Sequence, residues 1–129
     1  MNYSRDFTHD LEWGQVGENT VAEIVAGDKT EVKSERDMWA KTGNHYVEIS
    51  SRGKPSGIQT TESKWWTINF FLKDKFCFNI TVLVESLKKL TKEGYKHKGW
   101  KKIPGGDNNT SMGILVPIEA LIGINSNEL

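Results

Sequence analysis

Charged side chains stand in the middle of two short segments that otherwise have the composition of β-strands. In "TEVKS", Glu31 and Lys33 share one face of a strand and Val32 takes the other. In "HYVEIS", Glu48 lies on the face opposite Val47. If the two segments pair and their apolar faces pack inward, the three charged side chains lie on one common side. The alternative is a half-exposed sheet whose polar face meets water.

A third carboxylate stands in a predicted helix further upstream. The segment "WGQVGENTVAEIVAG" predicts a short helix, because Val21, Ile24 and Val25 have i, i+3, i+4 spacing and Gly27 stands where a C-terminal cap belongs. Glu18 falls in line with Val21 and Val25, on or near the face that must pack inward. A carboxylate within an apolar stripe is costly unless something pairs with it.

These residue types suit the hydrolysis of phosphodiester bonds. Two or three carboxylates supply the oxygen ligands that Mg²⁺ or Mn²⁺ takes, with waters and substrate phosphates completing the shell. Such a metal activates water and neutralises charge on the phosphate under attack. A lysine two residues away, about 7 Å along a strand, can orient that water or stabilise the transition state. The candidate catalytic residues are therefore Glu18, Glu31, Lys33 and Glu48, of which the three glutamates are the candidate metal ligands.

Length and composition predict one ordinary globular domain. The chain has 129 residues, long enough for one hydrophobic core. The N-terminal residues lack the pattern of a signal peptide, and no apolar run approaches the roughly 20 residues that span a bilayer. The single cysteine, Cys77, excludes an internal disulfide framework and a zinc cluster. We expect an intracellular, cytoplasmic protein without a membrane partner.

The zero net charge hides an asymmetry along the chain. Residues 1–52 hold ten acids and six bases, whereas residues 53–102 hold eleven lysines and four acids. The densest run, "KKLTKEGYKHKGWKK", interleaves lysines with Tyr95 and Trp100, a mixture that suits a phosphate backbone and exposed bases. A solvated helix face is the alternative interpretation of this run. For "PGGDNNTS", a plain surface loop is the alternative to a DNA contact. The candidate DNA contacts are Arg52, Lys54, Lys98, Lys101, Lys102, Asn108 and Asn109.

The remaining segments complete an α/β pattern. "WWTINFFL" and "KFCFNITVL" predict strands around the turn "KDK", and "LVESLKKLTKEGY" predicts an amphipathic helix. A short helix is expected through "TTESKWW", and a final strand or short helix at "ILVPIEALI". The order of helices and strands indicates a single α/β domain with a mixed central β-sheet flanked by helices.

A glutamate on an N-terminal helix, "EVK" on a strand and a further acidic strand resemble the PD-(D/E)XK nuclease superfamily. More narrowly, "GQVGE", "EVKSERD", "KTGNHYVEISSRGKPSGI" and "GGDNNTSMG" resemble a group of small phage-encoded nuclease-like proteins, over about residues 13–118. The resemblance implies a restriction-endonuclease-like domain over residues 1–129, with a metal site at the edge of its sheet. It also implies a divalent-metal-dependent DNA endonuclease, encoded by a phage and acting in the host cell.

The superfamily motif can be aligned in two registers. In the first, Glu18 is the helix acid, and Glu31 with Lys33 forms the acid–x–lysine signature. In the second, which we prefer, Glu31 is the first acid and Glu48 belongs to the signature strand, with Ser50 where lysine is expected. Lys33 then serves the same site from the neighbouring strand. Both registers place the four candidate side chains together.

Several functional expectations remain open at the level of sequence. Cleavage could be site-specific, as in homing, or directed at branched DNA, and a domain this small most simply cuts two strands as a homodimer or larger homo-oligomer. The main alternative is a non-catalytic DNA-binding or assembly protein built on a degenerate nuclease fold. A third is an RNA- or protein-binding α/β module. Gln15 and Asp37 are auxiliary candidates for the site.

Overall fold

The computed structural model describes residues 29–128, over which the chain forms seven strands and three α-helices. The predicted helix with Glu18, and Gln15 before it, lie outside the described residues. The strands are β1 (Thr30–Arg36), β2 (Asn44–Ser51), β3 (Lys54–Pro55), β4 (Trp65–Leu72), β5 (Lys75–Leu83), β6 (Lys102–Gly105) and β7 (Ser111–Pro117). The helices are α1 (Met38–Thr42), α2 (Val84–His97) and α3 (Ile118–Glu128), with 3₁₀ turns at Gly57–Gln59 and Asp107–Asn109.

The strands are arranged in two sheets. The first sheet has the order β1–β4–β5, with β1 parallel and β5 antiparallel to β4. The second sheet has the order β3–β2–β7–β6 and is antiparallel throughout. The mixed α/β class is thus confirmed, but two sheets replace the single central sheet that the sequence predicted. The expected pairing of β1 with β2 is wrong, because each has its partners in a different sheet.

The β4–β5 hairpin follows from local sequence. The alternate residues Trp66, Ile68 and Phe70 of β4 are buried, as the period-two pattern requires. The turn residues Lys73 and Asp74 both have positive φ, 51° and 65°, the conformation that matches the twist of a two-residue hairpin. The predicted helix over residues 60–66 is wrong, because β4 already begins at residue 65 and only a 3₁₀ turn precedes it.

Helix α2 has the amphipathic pattern expected of it. Val84 and Leu87 are buried on its inner face. The chain that leaves the helix folds back on it, because the Trp100 N–H donates to the Gly94 carbonyl at 3.0 Å. A Cβ at Gly94 would overlap the Trp100 ring, so this close approach requires glycine. The lysines that follow the helix are therefore held beside it.

Both sheets and two helices contribute to one hydrophobic core, so the described residues form a single compact domain. No helix within residues 29–128 is long and apolar enough to cross a membrane. The core residues are Val47, Ile58, Trp66, Ile68, Phe70, Ile80, Val82, Val84, Leu87, Ile114, Val116, Leu121 and Ile124.

Strand β1 turns its charged face inward, against expectation. Glu31 stands opposite Trp66 and Lys33 opposite Ile68 in the register with β4, so the charged side chains share the side on which β4 is buried. Val32 points away and is 59% exposed. The prediction that the apolar residue of this strand packs inward is therefore wrong.

Candidate functional site

Glu31 and Lys33 form an open ion pair on β1. The Lys33 Nζ lies 3.0 Å from Glu31 Oε2, and the Thr61 hydroxyl donates to Glu31 Oε1 at 3.0 Å. The Lys33 ammonium also lies 5.3 Å from the centroid of the Trp66 ring, whose face attracts cations. The side chains of Lys33 and Glu31 remain 40% and 35% exposed, so a ligand in solution can reach both.

The surroundings of Glu31 favour its charged form. The hydrogen bond from Lys33 holds the pKa of the Glu31 carboxyl below its ordinary value of 4.5. Partial burial opposes this effect, and the hydrogen bond from Thr61 adds to it. Glu31 is therefore ionised at neutral pH and suits the role of a ligand or base rather than that of an acid.

Glu48 lies on the second sheet. Its strand turns Val47 into the core, so Glu48 lies on the opposite face, where the Ser56 hydroxyl donates to its Oε2 at 2.7 Å. Gly57 follows with φ 57°, and a Cβ there would overlap the Glu48 carbonyl group. The backbone of residues 56–58 is thus pressed against β2.

Residues 56–61, called here the connecting turn, link the two carboxylates. Ser56 at its start bonds to Glu48, and Thr61 at its end bonds to Glu31. The structure thus brings Glu31 and Lys33 together and relates Glu48 to them through this turn, not through adjacent strands. Among residues 29–128, no group of three or more His, Cys, Asp or Glu side chains is placed to hold a metal ion.

A second contact that involves an acid of β1, between Glu35 and His45 of β2, was not predicted. The Glu35 Oε1 lies 2.6 Å from His45 Nδ1 and also accepts the Tyr46 N–H at 3.1 Å. His45 is only 3% exposed, and its Nε2 has no hydrogen-bond partner within the described part of the chain. Period-two spacing from Glu31 could have identified Glu35, but no sequence signal connects it to His45. Asp37, an auxiliary candidate, instead accepts the backbone N–H of Lys73 at 2.8 Å.

Four of the predicted DNA contacts lie on two neighbouring segments at one end of the second sheet. The backbone N–H of Arg52 donates to the Thr110 carbonyl at 2.8 Å, which holds the β2–β3 turn beside the β6–β7 loop. Lys54 begins β3, and Asn108 and Asn109 form the 3₁₀ turn of that loop. All four side chains belong to exposed or partly exposed residues.

The other three predicted contacts lie at the exit of α2. The Lys98 Nζ is 5.7 Å from the Trp100 ring centroid, and the Lys102 Nζ is 5.7 Å from that of Tyr95. Lys101 is fixed through its carbonyl, which accepts the Leu115 N–H at 2.9 Å. The lysines and aromatics of this run are therefore in contact, as their interleaving in the sequence suggested.

A basic groove runs along α2, on the side where the helix faces the second sheet. Its volume is about 670 Å³, and we call it the α2 groove. Ile49, Gln59 and Ile114 line it from the sheet side and the connecting turn. The residues from the helix are Glu85, Lys88, Lys89, Thr91, Lys92, Tyr95 and Lys96. The sequence shows that this run is basic, but the candidate DNA contacts predicted from it include only the lysines after the helix.

No protein-family model matches the chain, and no curated protein or solved structure is significantly similar to it.

Proposed function

We propose that the protein is a divalent-metal-dependent DNA endonuclease whose site is centred on Glu31 and Lys33. The observation that carries this proposal is the position of the connecting turn. It contacts Glu48 at one end and Glu31 at the other, and between them it contributes Gln59 to the α2 groove. Two carboxylates and a lysine-rich groove that all contact one short segment suit a substrate with a phosphate backbone.

Mg²⁺ or Mn²⁺ is the proposed cofactor. Glu31 and Glu48 are the described candidates to hold it, and Glu18 is a third candidate outside the described residues. The described carboxylates do not complete a site by themselves, although Mg²⁺ commonly takes only one or two from a protein. When bound, the metal would supply an activated water and charge neutralisation at the phosphate.

The described side chains prepare this site in two ways. The hydrogen bond from Lys33, with a smaller contribution from the Thr61 hydroxyl, lowers the pKa of Glu31 and keeps the carboxylate ionised, in the state that a ligand or base needs. Lys33 is restrained between Glu31 and the face of Trp66, so its ammonium is already positioned when a phosphate oxygen arrives. A positioned cation stabilises the extra negative charge of the transition state without reorganising at that moment.

The DNA backbone would be held by basic residues on two surfaces. One is the end of the second sheet with Arg52 and Lys54, beside Asn108 and Asn109. The other is the exit of α2, where the lysines are Lys98, Lys101 and Lys102. The proposed setting is a phage-infected cell, with site-specific or branch-directed cutting by a homodimer or larger homo-oligomer.

One observation favours a non-catalytic DNA-binding protein as the second candidate. Lys33 neutralises Glu31 directly, and no group of three or more possible metal ligands is assembled within residues 29–128. A protein that only binds DNA would need the basic surfaces but no assembled metal site. The two candidates differ in whether divalent metal changes the covalent state of the DNA.

The deciding experiment is cleavage of supercoiled plasmid and of a four-way junction in Mg²⁺, Mn²⁺ or EDTA. Wild type is compared with Glu31→Ala and Lys33→Ala. Glu62→Ala is the matched control, because Glu62 is an exposed acid next to Thr61. We expect metal-dependent cutting by wild type and by the control, and a loss of about 100-fold or more in the two site variants.

Two outcomes of this experiment would contradict the proposal. If Glu31→Ala cuts as fast as Glu62→Ala, Glu31 is not part of the active site. If wild type binds both DNAs but leaves them intact in every metal, the non-catalytic alternative replaces the nuclease. A preference for the junction over the plasmid would indicate branch resolution.

A further inference from the structure

The α2 groove differs from an ordinary solvated helix face. Lys88, Lys92 and Lys96 are four residues apart and therefore stack along one side of α2, at intervals of about 6 Å. Among residues 29–128, none of these ammonium groups forms an ion pair with a carboxylate. Three like charges along one side repel one another, and a polyanion that lies along the row relieves this repulsion.

The groove also has an apolar side, which a simple phosphate site would not need. Ile49, which is partly exposed, reaches it from the second sheet behind the lysines, and Ile114, a core residue that is 2% exposed, also borders it. Tyr95 belongs to the same lining and is 47% exposed, a large fraction for an aromatic residue beside a cavity. The groove therefore combines a row of cations with apolar and aromatic surface.

We propose that the α2 groove binds single-stranded DNA. Lysines that follow the backbone, together with an aromatic ring on which a base can stack, are the two elements of single-strand recognition. In a duplex the bases are paired and stacked inside, so they cannot reach Ile49 or Tyr95. An unpaired strand can place its phosphates on the lysines and its bases on this inner surface.

The identification of the polymer as DNA rests on the proposed function. The inference deepens that function because it specifies single-stranded DNA. Gln59 lines the groove and belongs to the connecting turn, whose ends contact Glu31 and Glu48. A strand in the groove thus approaches the same turn that holds the candidate site. Glu85 is the single acid in the lining, and it lies at the N-terminal end of the helix, away from Lys96.

The test is fluorescence anisotropy in EDTA with labelled oligothymidylate of about 15 nucleotides, the upper range of single-strand site sizes. A duplex of equal length is the competitor. The variant Lys88→Gln/Lys92→Gln/Lys96→Gln should weaken single-strand binding by about tenfold or more. The slope of log K against log salt should fall by about 2, as expected when three phosphate contacts on a single strand are lost.

A charge-matched control separates the groove from the general charge of the protein. The variant Lys41→Gln/Lys73→Gln/Lys75→Gln removes three exposed lysines that do not line the groove. We expect it to bind oligothymidylate within about twofold of wild type, allowing for its lower net charge.

Tyr95 provides a second variant that leaves the charge unchanged. Tyr95→Leu should weaken single-strand binding by about fivefold or more with the salt slope retained, whereas Tyr95→Phe should bind like wild type. Equal losses in the two lysine variants, or tighter binding of the duplex than of the single strand, would overturn the inference. Because no metal is present, this result is independent of cleavage: an inert protein that binds the single strand refutes only the nuclease.

Discussion

Glu31 and Glu35 lie on the same face of β1, four residues and about 13 Å apart, yet their surroundings are opposite. Glu31 pairs with a lysine that is 40% exposed, at an edge open to solvent. Glu35 pairs with His45, whose side chain is 4% exposed, and its own side chain is 17% exposed. One strand thus carries an accessible ion pair and an enclosed hydrogen-bonded pair.

The difference indicates which pair is accessible for chemistry and which pair supports the fold. The enclosed pair also fixes the backbone of Tyr46, so it attaches the start of β2 to β1, although the two strands belong to different sheets. The imidazole of this pair is almost completely closed to a substrate in solution. The lysine of the open pair lies over Trp66 of β4, which already pairs with β1, and the hydroxyl partner of Glu31 comes from the connecting turn. Function is therefore expected at Glu31 and structural support at Glu35.

The largest expected effect is on stability at the enclosed pair. Glu35→Ala removes the partner of both His45 and the Tyr46 N–H, and should lower the free energy of unfolding by about 3 kcal/mol. Glu31→Ala should lower it by less than about 1 kcal/mol, because that pair is solvent-exposed. Urea denaturation followed by tryptophan fluorescence measures both.

A conservative variant sharpens the same comparison. Glu35→Gln retains an oxygen that can accept both hydrogen bonds, so it should recover most of the stability that Glu35→Ala loses. Equal unfolding free energies for Glu35→Ala and Glu31→Ala would mean that burial does not distinguish the two pairs.

Local elements of this fold could be predicted from sequence, because their signals lie within a few residues. The β4–β5 strands show period-two burial around the turn at Lys73, and α2 shows the helical spacing of Leu87 and its neighbours. The partner of β1 carries no such signal. Thr30 pairs with Trp65, and the intervening residues contain β2 and β3, which belong to the other sheet. Such non-local pairing is decided by the packing of the whole core.

The candidate site shows the same limit. Alternation correctly placed Glu31 and Lys33 on one face of β1 and Val32 on the other. It could not tell which face is inward, because an edge strand can bury a charged face whose members are paired. The hydroxyls of Ser56 and Thr61 and the ring of His45 complete the contacts, and each comes from a distant segment that periodicity cannot identify.

The connecting turn gives the next largest effect. Gly57→Ala should lower the free energy of unfolding by about 2 kcal/mol, because alanine is strained at φ 57° and its Cβ would overlap Glu48. Gly53→Ala is the matched control: φ there is 80°, but an added Cβ meets no atom within 4 Å. Gly53→Ala should lower the free energy of unfolding by about 1 kcal/mol, from the backbone conformation alone.

Cleavage measured on the same two variants links the turn to the open pair. If the turn aligns Glu31 and Glu48, Gly57→Ala should cut more slowly than Gly53→Ala under conditions where both are folded. Equal cleavage by the two variants would show that the turn supports the fold without positioning the carboxylates. The Glu35–His45 pair, which the turn does not contact, should be unaffected in both.

The smallest expected effect is the pH dependence of the stability that the open pair contributes. The pKa of Glu31 in the folded protein lies below its ordinary value of 4.5, so Glu31 binds a proton more tightly in the unfolded chain. The stabilisation is therefore fully present above the ordinary value and is lost as pH falls through the folded pKa. The unfolding free energies of wild type and Glu31→Gln should differ by less than about 1 kcal/mol at neutral pH. This difference should shrink as pH falls below 4.5.

Lys33→Gln tests the physical cause of that shift. Because the hydrogen bond from Lys33 is its largest cause, removing the ammonium should move the pKa of Glu31 back towards its ordinary value. Substituting Glu31 in the Lys33→Gln background should then have little pH-dependent effect on stability. An unchanged pH dependence in that background would assign the lowered pKa to Thr61 instead. The hydroxyl of the connecting turn, not the neighbouring lysine, would then keep Glu31 ionised for its proposed role.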